Sequence, residues 1–302
     1  MNSNSPSQNQ IPTECSYDVA GLALKARLWS SSQAESISHQ APRRRIIALH
    51  GWLDNCASFD GIAANVDADV LCLDLAGHGL SGGRQHLGAY NVWLDLPEIL
   101  AIADQLGWQT FELLGHSRGA AIAFLLAATF PKRVERLVCL DGIFPLMGTA
   151  EKAPEQLFHS INTVRKQRLR PAHYYPTFEA AVAARQKGMF PLLLDDAIAF
   201  ANRAVSKSAN GYAWQYDPKV SAPSELRLTM AQLTAFADAI MCPLTLFIAD
   251  KGILSGDEQV LTFLNNYPAW ERRYLVGDHH CHMSAQANAI AQWLNNIDGI
   301  EI

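Results

Sequence analysis

A chain of 302 residues, 49% hydrophobic and 18% charged, can bury a large core, which excludes global disorder. A net charge of −5 and a pI near 6.0 argue against nucleic acid or an anionic membrane as the main partner. No apolar run reaches the roughly 18 residues of a membrane span, and the six cysteines are scattered without a CxxC pair, as expected of buried thiols in a reducing compartment.

The opening stretch, MNSNSPSQNQ, carries neither basic residues nor an apolar run, so no signal peptide is expected. Residues 1–14 read as a disordered tail and the location as cytoplasmic. Arg43, Arg44 and Arg45 read as the solvated entry to a strand, RIIALH, over 45–50, followed by a loop, HGWLDN, over 50–55. DVLCLDL (69–75) is the next strand, then a helical pattern over 90–106, then the strand FELLGH (111–116). An alanine-rich helix over 118–130 is stopped by Pro131, and RLVCLDG (136–142) follows as a strand. Nearly continuous apolar runs of this kind are strands covered on both faces, and their alternation with helices predicts a parallel sheet with right-handed crossovers.

After Pro145 the pattern breaks, and from 146 to 236 apolar residues recur at helical spacing with no clear strand. CPLTLFIAD (242–250) and ERRYLV (271–276) resume the strands, and a final helix covers 284–296. The expected organisation is an α/β core of 15–145 and 237–302, interrupted by a helical cap of 146–236 at the strand ends, where open α/β sheets bind ligands. Aromatic residues of the cap, such as Phe190 and Trp214, are expected to be mostly its own core, with some lining an acyl pocket.

The stretch LLGHSRGA (113–120) sets Ser117 between Gly115 and Gly119 where a strand turns into a helix. G-x-S-x-G in that context forces the serine onto a tight turn and aims its hydroxyl at the carboxyl edge of the sheet. A serine hydroxyl needs a base, and VGDHHCHM (276–283) offers three histidines after the last strand. His279, first out of the turn after Gly277, is the expected base, with His280 the alternative and His282 packing behind. The expected acid is Asp141, at the end of its strand, with Asp250 and Asp257 as alternatives; Gly252 stands where a carboxylate after the later strand could be. The oxyanion hole calls for two N–H donors, expected from Arg118, next to the nucleophile, and Trp52, in the loop after the first parallel strand. Trp52 could alternatively serve only as a pocket wall. The Arg118 side chain reads equally as a shaper of the pocket mouth or as an ion-paired helix residue.

LHGWLDNCASFD (49–60), LDLAGHGLS (73–81), LLGHSRGA, LVCLDGIFPL and GDHHCHM together resemble the α/β-hydrolase superfamily. More narrowly, they resemble the serine hydrolase-like proteins near its esterase, epoxide hydrolase and haloalkane dehalogenase branch. The resemblance runs from about 16 to 296 and is weaker in the cap. It implies an α/β-hydrolase fold, mostly parallel and flanked by helices, with the cap inserted after the strand ending at Asp141. It also implies structural roles for Asp74, His78 and Ser81. Many relatives carry their acid at the position of Gly252, and the departure here makes Asp141 necessary. A serine at 117, where epoxide- and halide-processing relatives have aspartate, implies acyl transfer to water. The expectation is a carboxylesterase acting on small to medium acyl esters, needing neither metal nor organic cofactor. Lactone, amide or carbon–carbon bond hydrolysis uses the same triad, and a non-catalytic binding protein is the rival from another class. The sequence leaves the oligomeric state open.

Overall fold

The computed structural model describes residues 11–30 and 43–297. The chain begins with a hairpin of β1 (Thr13–Val19) and β2 (Leu22–Trp29), turned by Ala20 and Gly21 at positive φ. The tail boundary expected at residue 14 therefore falls inside a strand: Thr13 and Glu14 pair with Leu28 and Arg27, and the earlier tail residues 1–10 lie outside the described residues. β3 (Arg45–Leu49), α1 (Asp60–Ala63) and β4 (Asp69–Leu73) follow. Then come α2 (Asp95–Gln105), β5 (Phe111–His116), α3 (Arg118–Thr129) and β6 (Val134–Leu140).

Between β6 and the next sheet strand the chain forms α4 (Ala153–Arg168), α5 (Phe178–Gln186), α6 (Leu194–Ala204), a hairpin of β7 (Val205–Ser208) and β8 (Gly211–Trp214), and α7 (Met230–Asp238). It ends with β9 (Leu244–Lys251), α8 (Glu258–Leu264), β10 (Glu271–Asp278) and α9 (Ala287–Asn296). The main sheet runs β1-β2-β4-β3-β5-β6-β9-β10, antiparallel through β2 and parallel from β4 to β10.

Every residue of β5 is buried, as a strand covered on both faces requires. One face carries α2, α3, α7 and α8, with Ile99, Phe124, Ala237 and Phe263 in a common cluster. The other carries α1 and α9, with Ile62, Ile290 and Trp293. The inserted segment differs from its expectation in two ways. It contains the β7–β8 hairpin, joined through Ala209 and Asn210, with Gly211 opening β8 at a positive φ of 118°. The boundary expected at residue 236 also falls inside α7, whose Phe236 and Ala237 pack with the sheet's own cluster.

Candidate active site

The turn at Ser117 is fixed by backbone contact. Its φ of 51° and ψ of −114° lie in a region that L residues avoid. The turn closes only because its neighbours are glycines: a Cβ on Gly119 would stand 1.8 Å from the Leu49 carbonyl oxygen, and one on Gly115 2.5 Å from the Ala120 Cα. The serine N–H donates to the Leu140 carbonyl at 3.1 Å, tying the turn to the end of β6.

That strand end carries Asp141, also strained, at φ 41°. Its Oδ2 accepts the Ile253 N–H at 2.9 Å and lies 2.6 Å from His279 Nδ1. A Cβ on Gly252 would stand 2.1 Å from the same oxygen, so the glycine leaves the space the Asp141 carboxylate fills. His279 Nε2 lies 3.0 Å from Ser117 Oγ. A carboxylate only accepts, so Nδ1 carries the hydrogen and Nε2 turns its lone pair to the serine hydroxyl. Burial pushes the His279 imidazole below the ordinary histidine value of 6.5, against the opposing effect of Asp141, so the ring rests neutral at neutral pH.

The other sequence candidates go elsewhere. Asp250 accepts the Gly277 N–H at 2.8 Å, at the entry to the histidine turn. Asp257 caps α8 by accepting from Gln259 and Val260. His282 meets Ser58 Oγ at 2.7 Å, and His280 faces Asp54 at 3.3 Å. The Arg118 side chain is ion-paired, with Nη2 2.8 Å from Asp95 Oδ2. No hydrogen bond among the described residues engages the backbone N–H of Trp52 or Arg118, while the Trp52 indole donates to the Val220 carbonyl at 2.8 Å. His50 accepts the Leu75 N–H at Nε2 and donates from Nδ1 to the Gly51 carbonyl, fixing the loop that carries Trp52. Asp74 accepts from the Cys56 and Leu80 N–H groups and from Arg203 of α6.

Arg185, Asp54 and His116 were given no role from sequence, and Phe190 only a place among the cap aromatics. Phe190, in the inserted segment, lays its ring 4.5 Å from that of His279. Arg185 of α5 donates to the Phe190 carbonyl at 3.2 Å and to Asp54 Oδ1 at 2.7 Å, so one guanidinium joins the segment to the core behind the histidine. Burial alone would raise the Asp54 carboxyl, but His280 and Arg185 hold it well below the usual carboxylate range. His116 Nε2 donates to the His279 carbonyl at 2.8 Å and supports that residue's backbone. His116 had a sequence signal in its place beside Ser117 inside GHSRG, and Phe190 in its place among the cap aromatics.

A profile of the α/β hydrolase fold family matches residues 44–284. The chain belongs to the α/β-hydrolase family. This hydrolase is 28% identical over 287 residues to a serine hydrolase-like protein of Dictyostelium discoideum, covering 87% of this chain and 75% of that one. It is 28% identical over 292 residues to a probable serine hydrolase of Drosophila melanogaster, covering 89% and 83%. A crystal structure of a hypothetical protein from Pseudomonas aeruginosa superposes with a TM-score of 0.88 at 34% identity, over 95% of this chain and 99% of that one. No helix among the described residues is long and apolar enough to cross a membrane, and all six cysteines are free.

Proposed function

We propose that this α/β hydrolase is a carboxylesterase working through Ser117, His279 and Asp141, with the inserted segment as its cap. The observation that carries the reading is the continuous hydrogen-bond chain from Ser117 Oγ through His279 to Asp141, mounted on a strained strand-to-helix turn. Ser117 Oγ attacks the ester carbonyl while His279 Nε2 takes its proton. Asp141 holds the tautomer and stabilises the imidazolium that forms. The backbone N–H groups of Trp52 and Arg118 receive the oxyanion. The imidazolium returns the proton to the leaving alcohol, and the acyl group stays on Oγ. Water, deprotonated by His279, then attacks the acyl-enzyme and releases the acid.

The matches to proteins named as serine hydrolases support a serine nucleophile. The apolar ring of Phe190 against His279 suits an acyl chain better than a charged substrate. A panel of chromogenic esters of increasing acyl length, run beside lactones and amides, tests the reading. Ester turnover is expected to exceed the others, and Ser117→Ala to lower it by about 10⁴-fold or more with an unchanged melting temperature. Turnover of amides or lactones alone, or an active Ser117→Ala protein, contradicts it.

A further inference from the structure

Asp54, His116 and His280 converge beside His279, with the His116 and His280 rings both against its imidazole. They come from the loop after β3, the end of β5 and the turn after β10, and are 3%, 0% and 4% exposed. Asp54 Oδ2 stands 3.5 Å from His116 Nδ1 and 3.3 Å from His280 Nε2, and one ligand atom from each residue can be chosen so that all lie within 4.8 Å.

Hydrogen bonds from His280 Nε2 and Arg185 reach the two Asp54 oxygens, but none accounts for His116 Nδ1. His116 Nε2 faces the His279 carbonyl at 2.8 Å and must carry the hydrogen. The neutral ring then turns an unshared pair at Nδ1 toward a carboxylate oxygen that also has only unshared pairs. That Nδ1 is buried without a hydrogen-bond partner. A lone pair and a carboxylate held together in a dry site need a positive charge between them. A proton there, making His116 an imidazolium, would draw the two atoms to about 2.7–2.9 Å, shorter than the 3.5 Å observed. Tetrahedral coordination with metal–ligand bonds of about 2.0–2.1 Å instead sets ligand atoms roughly 3.3 Å apart, close to the 3.3 and 3.5 Å found here.

We propose that Asp54 Oδ2, His116 Nδ1 and His280 Nε2 form a site for a divalent transition metal of the zinc type, and that the bound ion inhibits the hydrolase. Two imidazoles and one carboxylate suit zinc, and three protein ligands leave a fourth position for water. The surrounding bonds have the form such a site requires: His116 uses its other nitrogen on a backbone carbonyl, and the second Asp54 oxygen accepts from Arg185. The His280 Nδ1 lacks such a partner, and Arg185 already places a positive charge on the carboxylate. Both weaken the site, so the ion binds reversibly, as an inhibitor does, rather than as a permanent structural element. The His116 ring centroid is 4.6 Å from that of His279. A divalent charge bound to the ring packed against His279 opposes the positive charge that His279 takes on when Ser117 attacks.

Binding is measured without substrate, so its outcome does not depend on what the hydrolase turns over. The full chain, stripped with a chelator and dialysed, is titrated with Zn²⁺ by calorimetry and with Co²⁺ by visible absorption. The wild-type protein is expected to take up one equivalent with a tetrahedral Co²⁺ spectrum. His280→Gln and Asp54→Asn, each checked for folding by circular dichroism, are expected to bind at least tenfold more weakly. No uptake by the wild-type chain, or uptake undiminished in both variants, overturns the site. Ester hydrolysis at the same Zn²⁺ concentrations tests the inhibitory half, which rests on His279 as the base. Wild-type activity is expected to fall at least tenfold while His280→Gln is spared, and full wild-type activity with the ion bound overturns that half.

Discussion

All of β5 is buried, whereas α4 buries only Ser160 and Val164 of its 16 residues. In the sheet, the decisive contacts leave no space for a side chain. Gly119 lies against Leu49, Gly142 against Ser117, and Gly252 against the Asp141 carboxylate, each with no room for a Cβ. The inserted segment is joined to the core by apolar packing, as of Ala57 and Met283 with Phe200 and Ala201, and by polar links: Arg185 to Asp54, Arg203 to Asp74, the Trp52 indole to Val220, and Lys219 to the Arg84 carbonyl. Contacts of the first kind cannot relax, because packed interiors have no spare volume. Polar links between a core and a covering segment are few and individually replaceable. Changes in the sheet should therefore act on the chemical step, and changes in the segment on substrate binding.

The sharpest way to break this contrast is Gly252→Ala. The added methyl meets Asp141 Oδ2 at 2.1 Å, so the carboxylate must move. Displacement of a catalytic group by an ångström costs on the order of 10²-fold in rate. The expected result is a kcat lowered by about that factor with KM nearly unchanged, read from initial rates on a short ester. A large KM effect with normal kcat would place the glycine in the substrate pocket instead.

Arg185→Ala tests the other side. It removes the link from α5 to Asp54 and to the Phe190 carbonyl. Leaving a buried acceptor short of a donor costs about 1–3 kcal/mol. A lower melting temperature is expected, with KM raised several-fold and kcat changed less. An equal loss in both constants, or none, would remove the distinction between core and segment.

The smallest effect concerns acidity. Burial depresses His50, His78, His116, His279 and His282 below the ordinary value of 6.5. The unfolded chain therefore takes up protons that the folded chain refuses. Stability from keeping these rings neutral is fully present above about 6.5 and is lost as pH falls toward the lower folded values. Melting temperatures should decline from about pH 6.5 downward, and kcat/KM should hold level through neutral pH and fall on the acid side below 6.5. A flat melting profile from pH 7 to 5 would contradict the assignment.

The parallel strands were legible because burial on both faces leaves nearly unbroken apolar runs, as in RIIALH and FELLGH. Ser117, His279 and Asp141 were legible for a related reason: each stands at the end of a strand or in the turn after one, in an order the fold dictates. The hairpins were harder to read. β1 alternates only between exposed and half-buried positions, and the short β7–β8 hairpin around Ala209 and Asn210 lies within a stretch whose apolar spacing is helical. Arg185 and Asp54 had no local signal, since their roles arise from a contact between segments 131 positions apart, and Phe190 was readable as a cap aromatic but not as the ring against His279. Asp250 illustrates the same limit: a carboxylate beside the histidine turn was readable, but not that it holds the Gly277 N–H rather than a ring nitrogen.

The central claim is that Asp141, received into the space at Gly252, is the acid that makes Ser117 reactive. The rate at which a serine-directed phosphonate labels the chain, with the adduct located by mass spectrometry, tests it directly in the wild type, Asp141→Asn and Asp250→Asn. The account predicts a single adduct on Ser117, formed in Asp141→Asn at a rate reduced by up to about 10⁴-fold and in Asp250→Asn at nearly the wild-type rate. Labelling that slows in Asp250→Asn and persists in Asp141→Asn would put the acid on the later strand and contradict the account.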